Sequence, residues 1–132
     1  MEYKYEKYIG NKKCISEHNF LVANQTMLPI VREKLEKGQP VIYDGNFYYK
    51  SQIDDLIFSL KFCNFIFTLK ANLSTCIVRN KMRANNLKEQ AVRDVFELNL
   101  TCNYGILVDT NNKTIAQTVD EIASIVRRLP CE

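Results

Sequence analysis

An apolar run stopped by a carboxylate, Pro40-Val41-Ile42-Tyr43-Asp44-Gly45-Asn46, constrains this chain more than any other stretch. Pro40 has no N–H to donate and cannot continue a helix, and Gly38 just before it suits a helix C-cap. Val41, Ile42 and Tyr43 then predict a short buried strand with an acid at its carboxyl end. The pattern returns at Gly105-Ile106-Leu107-Val108-Asp109-Thr110. A third apolar run, Asn64-Phe65-Ile66-Phe67-Thr68-Leu69, lies between the two. It is apolar on both parities, as a strand covered on both faces should be.

Helical spacing fills the intervals. A helix is expected from about His18 to Lys37 with Ile30, Val31 and Leu35 on one side, Pro29 kinking it or beginning a second one. Ile53, Leu56, Ile57 and Leu60 predict another over about Ser51 to Lys61. Asn72 can cap a helix reaching about Met82, and a further one spans roughly Lys88 to Asn99 with Val92, Val95, Phe96 and Leu100 inward. Thr118-Val119-Asp120-Glu121 has the form of a capping box. It would open a last helix with Val119, Ile122, Val126 and Leu129 on one stripe. Residues 1–17 are polar and tyrosine-rich without a period, and are read as an irregular arm.

Strands separated by helices imply an α/β domain with a parallel sheet and right-handed crossovers. One domain is expected over residues 1–132, its core over 18–132. Ligands of such sheets bind beyond the carboxyl ends of the strands, where Asp44, Lys70 and Asp109 all fall.

The 132 residues are enough to bury one core, and their formal charge of +3 suits an anionic small molecule. Nucleic acid is argued against, because the charge forms no basic stripe. No apolar run approaches a membrane span, and the start, Met1-Glu2-Tyr3-Lys4-Tyr5-Glu6-Lys7, holds no apolar signal segment. The expected compartment is the cytoplasm. Cys14, Cys63, Cys76, Cys102 and Cys131 are odd in number and widely spaced, and His18 is the lone histidine. Reduced structural thiols are expected rather than a zinc site.

Three groups could carry chemistry. Asp44-Gly45-Asn46 reads plainly as a turn, but a carboxylate at a strand end can also orient a metal-bound water beside a phosphate. Arg79 and Arg83, four apart on a helix, are two solvated cations or a clamp for phosphoryl oxygens. Lys81, Lys88 and Arg93 add charge nearby. Asp109-Thr110-Asn111-Asn112-Lys113-Thr114 is a polar connecting loop at a strand end. Arg127 and Arg128 are explained by the macrodipole at a helix C-terminus.

In order and spacing, residues from about Asn19 to Arg127 resemble the P-loop kinases of the adenylate-kinase-like and shikimate-kinase-like group. The resemblance is carried by Lys37-Gly38, by Val41 to Phe47 in the manner of a Walker B strand, by Phe65 to Ala71 and by Cys76 to Arg83. Ile106 to Thr110 and Thr118 to Ile122 complete it. It implies a three-layer parallel sheet and ATP-dependent phosphoryl transfer to a small molecule or nucleotide, with ATP and Mg2+ as cofactors. Asp44 would be the acid near magnesium, acting through water, and Gly45 and Asn46 would lie beside the acceptor. Arg79 and Arg83 would be lid arginines, and Asn111, Asn112, Lys113 and Thr114 would lie against the nucleotide base.

One part of that pattern is missing. A Walker A loop needs G-x-x-x-x-G-K-[ST], and Gly10, Gly38, Gly45 and Gly105 nowhere have that spacing. The expectation is therefore a fragment or truncated kinase without its phosphate-loop strand, loop and first helix. It would be inactive alone, with unpaired strand edges open to self-association. The alternative is a non-catalytic regulatory or binding module on the same scaffold. A receiver-like domain with Asp44 as phosphoacceptor fails, because no early acidic pair precedes it and no lysine ends the Gly105–Asp109 run.

Overall fold

The computed structural model describes residues 7–130. Two compact units divide the chain, Met1–Phe62 and Cys63–Glu132.

The first unit opens with a hairpin where an irregular arm was expected. β1 (Lys7–Ile9) and β2 (Lys12–Cys14) pair antiparallel, Lys7 opposite Cys14 and Ile9 opposite Lys12. Gly10 holds φ +63 at the first position of the two-residue turn, which a glycine adopts without steric cost. Residues 1–6 of the expected arm lie outside the described residues.

Ser16 then starts α1 (Glu17–Glu36), its hydroxyl accepting from the Asn19 N–H at 3.3 Å. Pro29 sits inside this one continuous helix and begins no second one. Asn24, Leu28 and Val31 are buried at four- and three-residue spacing, which defines the inner face. Ile30, expected inward, is exposed. α2 (Lys50–Leu60) buries Gln52 and Leu56. Asn24 Nδ2 donates to Gln52 O and to Asp55 Oδ2, both at 3.0 Å, and Arg32 donates to Ser59 O at 2.9 Å. These pairs ascend together, so the two helices run side by side in the same direction. Residues 37–49 must therefore travel back along them. Tyr48 and Tyr49 end that return against the start of α1. Their rings meet Phe20 edge-on at 5.4 and 5.9 Å, and their hydroxyls bond Ile15. Burial pushes both phenols up, with Cys14 reinforcing the effect at Tyr49.

The expected strand at Val41–Asp44 is absent. This stretch forms no ladder, and Ile42 is 91% exposed. A strand exists only where another backbone completes its hydrogen bonds, and none among the described residues does so here.

In the second unit β3 (Phe67–Lys70) and β4 (Ile106–Asp109) pair in parallel, Phe67 beside Ile106 and Lys70 beside Asp109. α3 (Leu73–Lys81) and α4 (Glu89–Leu98) make the crossover, and α5 (Ile115–Arg128) follows β4. Val108 is the anchor at 0% exposure. Gly105 brings the two strands together. Its φ is +64, and a Cβ there would lie 2.2 Å from Ile66 O. Thr68 fastens the same end, donating to Tyr104 O at 2.6 Å.

The three-layer parallel sheet of the P-loop kinase type is thus corrected. The described chain is mostly helical, with five helices, one hairpin and one two-stranded parallel sheet. The last helix also begins one turn before the expected box. Thr114 caps it, accepting from Gln117 N while Gln117 Oε1 accepts from Thr114 N. Thr118 lies inside and bonds back to Thr114 O. The expected apolar stripe is largely open, since Val119, Val126 and Leu129 are exposed.

Cys14, Cys76 and Cys102 carry thiols rather than disulfides, as expected. Cys63 is disulfide-bonded, which corrects the reading of reduced thiols throughout. Cys131 lies outside the described residues. No helix among the described residues is long and apolar enough to cross a membrane.

Candidate functional site

Asp44, Gly45 and Asn46 belong to the first unit, on the exposed return between α1 and α2. No strand holds the Asp44 carboxylate, and no hydrogen bond or ion pair involves it among the described residues. Gly45 needs no special backbone, and a Cβ there would meet the Phe47 ring at an ordinary 3.6 Å. The geometry expected of a metal-facing acid, a side chain fixed by a strand end, is not what surrounds Asp44.

The other candidates lie in the second unit, and most converge on the carboxyl ends of β3 and β4. Thr110 is buried there. Its N–H and its hydroxyl both donate to Lys70 O, at 2.8 and 3.0 Å, extending the ladder by one residue. Arg79, on α3, forks onto the same threonine. Nη1 donates to Thr110 Oγ1 at 2.8 Å and Nη2 to Thr110 O at 2.6 Å. Two donors of the guanidinium are thus held by the protein itself, and the planar fork that would suit a phosphoryl group is used as a strut.

Asn111 completes the closure. Its N–H and Nδ2 both donate to Asp109 Oδ1 at 2.8 Å, an Asx turn that folds the loop over the strand end. Its Oδ1 accepts from Asn72 N at 2.9 Å and Thr75 Oγ1 at 3.1 Å, capping the start of α3 from across the sheet. Asn112 takes a left-handed φ of 53°, which asparagine tolerates. Lys113 pairs with Glu121 at 2.5 Å, and Thr114 caps α5. Lys70 reaches back to donate to Asn99 O at 2.9 Å. The four residues expected to lie against a nucleotide base therefore carry structural bonds, apart from the exposed turn position Asn112.

Arg83 is not on the helical face expected for it. α3 ends at Lys81, and Arg83 lies in the loop beyond, so the four-residue spacing from Arg79 does not place the two on neighbouring turns. Sequence reasoning missed the residue that shapes this loop. Asn80 is buried at 8% exposure, with Nδ2 donating to Leu87 O at 2.8 Å and Oδ1 accepting from Leu87 N at 3.0 Å. Its backbone carbonyl also accepts from Arg83 N at 3.1 Å. The available signal was an asparagine, a poor interior helix former, in the last turn of a predicted helix. Thr110 was likewise passed over as a loop residue.

ATP and Mg2+ can be tested against these groups. Magnesium takes one or two carboxylates plus phosphate oxygens and waters in octahedral geometry. Asp44 is a lone exposed carboxylate, and no metal-holding group of three or more His, Cys, Asp or Glu exists among the described residues. No backbone nest for a triphosphate is encoded by the glycines. The residues present do not by themselves fit either group. No protein-family model, curated protein or solved structure matches this chain.

Proposed function

We propose that the chain contributes part of an ATP-dependent kinase related to the P-loop group, transferring a phosphoryl group to a small molecule or nucleotide, and is inactive on its own. The observation carrying this reading is the parallel pair β3–β4. Its last register pair is Lys70 beside Asp109, and α3 brings Arg79 to the same carboxyl end. Polar and cationic side chains gathered beyond parallel strand ends are the setting in which such sheets bind ligands. In this role the phosphate-holding loop is supplied by another segment or chain. Arg83 neutralises charge, and Arg79 must give up Thr110 to join it. The resemblance assigns the acid near magnesium to Asp44. The nucleotide and acceptor are its ligands, with the cytoplasm as its compartment.

A second reading, a non-catalytic binding module, is favoured by Arg79 being held on Thr110. Both readings expect the 132-residue chain to show no ATP-dependent turnover and at most weak ATP–magnesium binding. They part when a segment bearing G-x-x-x-x-G-K-[ST] is supplied, fused or in trans. The kinase reading then expects turnover, and Asp44→Asn and Arg83→Ala should each lower it by roughly 100-fold. Robust phosphorylation by the chain alone would overturn the proposal. Restored turnover that neither substitution changes would remove the site assignment.

A further inference from the structure

Between α3 and α4 the chain presents Lys81, Arg83 and Lys88 with no acid until Glu89. Residues 81–90 are all exposed. Glu89 does little to offset this charge. It accepts twice from Arg93, at 3.1 and 2.6 Å, which holds its carboxyl below the usual range, and Lys81 reaches it only at 3.9 Å. Arg83 and Lys88 make no side-chain ion pair or hydrogen bond among the described residues. A short loop with two cations beside a third at the helix end would ordinarily sample many shapes and offer an anion no fixed geometry. Here one buried residue holds it at both ends, Asn80 bonding Leu87 through its side chain and Arg83 through its backbone carbonyl.

We infer that Asn80 is a positioning residue, a latch that holds the 81–88 loop as a preformed receiver for a linear polyphosphate group, with Arg83 and Lys88 as its free cations. This rests on the kinase reading above and sharpens it by moving the anion-receiving role from the Arg79–Arg83 pair to the latched loop. Asn80 is suited to the task because a carboxamide both donates and accepts. It closes a two-bond ring on the Leu87 peptide, while its own carbonyl takes the Arg83 N–H. Asn80 is buried while Leu87 stays exposed, so the ring orders the loop before any ligand arrives and leaves its surface open. Ordering that is already in place need not be supplied by binding.

The test uses the full chain, inorganic tripolyphosphate at low ionic strength, and amide NMR with hydrogen exchange. Tripolyphosphate should shift the amides of residues 81–88 and slow exchange at Leu87 in the unaltered protein. That measurement needs no variant to fold. Asn80→Ala should speed Leu87 exchange and raise the tripolyphosphate dissociation constant by roughly tenfold, because binding must then supply the ordering of the loop. Arg83→Gln should raise it similarly, and the double variant should be little worse than either single, because a cation without its latch and a latch without its cation fail alike. Absence of shifts in residues 81–88, or a Leu87 exchange rate indifferent to ligand, would overturn the inference. So would an Asn80→Ala protein that binds as tightly as the original. Failure of the kinase reading would look different: coupled latch and binding, but no turnover after a phosphate-loop segment is supplied.

Discussion

Val41-Ile42-Tyr43-Asp44 and Ile106-Leu107-Val108-Asp109 are nearly the same sentence in sequence, three apolar residues and an acid, yet only the second is a strand. Ile42 is almost wholly exposed, whereas Val108 is the most deeply buried large side chain described. The difference lies in what each meets. Ile106–Asp109 finds Phe67–Lys70 in register and Gly105 lets the backbones close, while Val41–Asp44 runs back along two co-directional helices with no ladder partner among the described residues. Strand propensity is the fit of a side chain to a half-buried pleated surface, and without that surface it expresses nothing. The acids differ in the same way. Asp109 is drawn into an Asx turn, and Asp44 is left in solvent.

The sharpest way to break this comparison is to place a charge at matched positions. Val108→Asp should destabilise the second unit by about 4 kcal/mol or more, since a carboxylate would replace the anchor with no partner. Ile42→Asp should fall within about 0.5 kcal/mol of the original in denaturant unfolding. Equal losses would mean that Val41–Asp44 is buried in solution after all. Next in size are the glycines flanking the two runs. Gly105→Ala meets both a positive φ and the Ile66 carbonyl and should cost about 3 kcal/mol, whereas Gly45→Ala should be nearly neutral. A tolerant Gly105 would show that β3 and β4 need not approach so closely.

A smaller effect is expected from Arg79→Gln. Losing the fork on Thr110 should lower stability by about 1–2 kcal/mol, read as a shift in unfolding midpoint. No change would argue that Arg79 is free to serve a ligand. Smallest is Thr114→Ala, which removes the true cap of α5 at about 1 kcal/mol, against little for Thr118→Ala. The reverse order would restore the box at Thr118.

The sequence disclosed helices well and sheets poorly, for a physical reason. α1, α2, α3 and α4 declare themselves through apolar spacing and local stop signals such as Gly38 and Asn72, which act within a turn or two of chain. A strand needs a distant partner, which no local pattern reports, so Val41–Asp44 was overread. The opposite error befell Lys7–Cys14. Its lysine-rich strands hide any alternation, although Gly10-Asn11 is a hairpin turn signal. Thr114 and Thr118 were confused because each precedes an amide or acid three residues on, and both sequences satisfy the box. At the candidate site, residue types were legible but bonding was not. Arg79 and Asn111 look available in sequence and are occupied in the structure. Asn80 looks incidental and holds a loop together.

The parallel register of β3 and β4 also fixes an order of events. Phe67 and Ile106 are partners separated by 39 positions, whereas Lys7 and Cys14 in the hairpin are separated by seven. Closing the longer span costs about 1.5 kcal/mol more in chain entropy, and none of that is recovered until the crossover helices are in place. The hairpin can form and dissolve in microseconds on its own, while the sheet must await a long-range encounter. During synthesis, β3 emerges and remains without its mate until Asp109 has left the ribosome. For that interval Phe65, Phe67 and Leu69 are a bare apolar strand, the moment at which this chain is most exposed to chaperones or to its own neighbours.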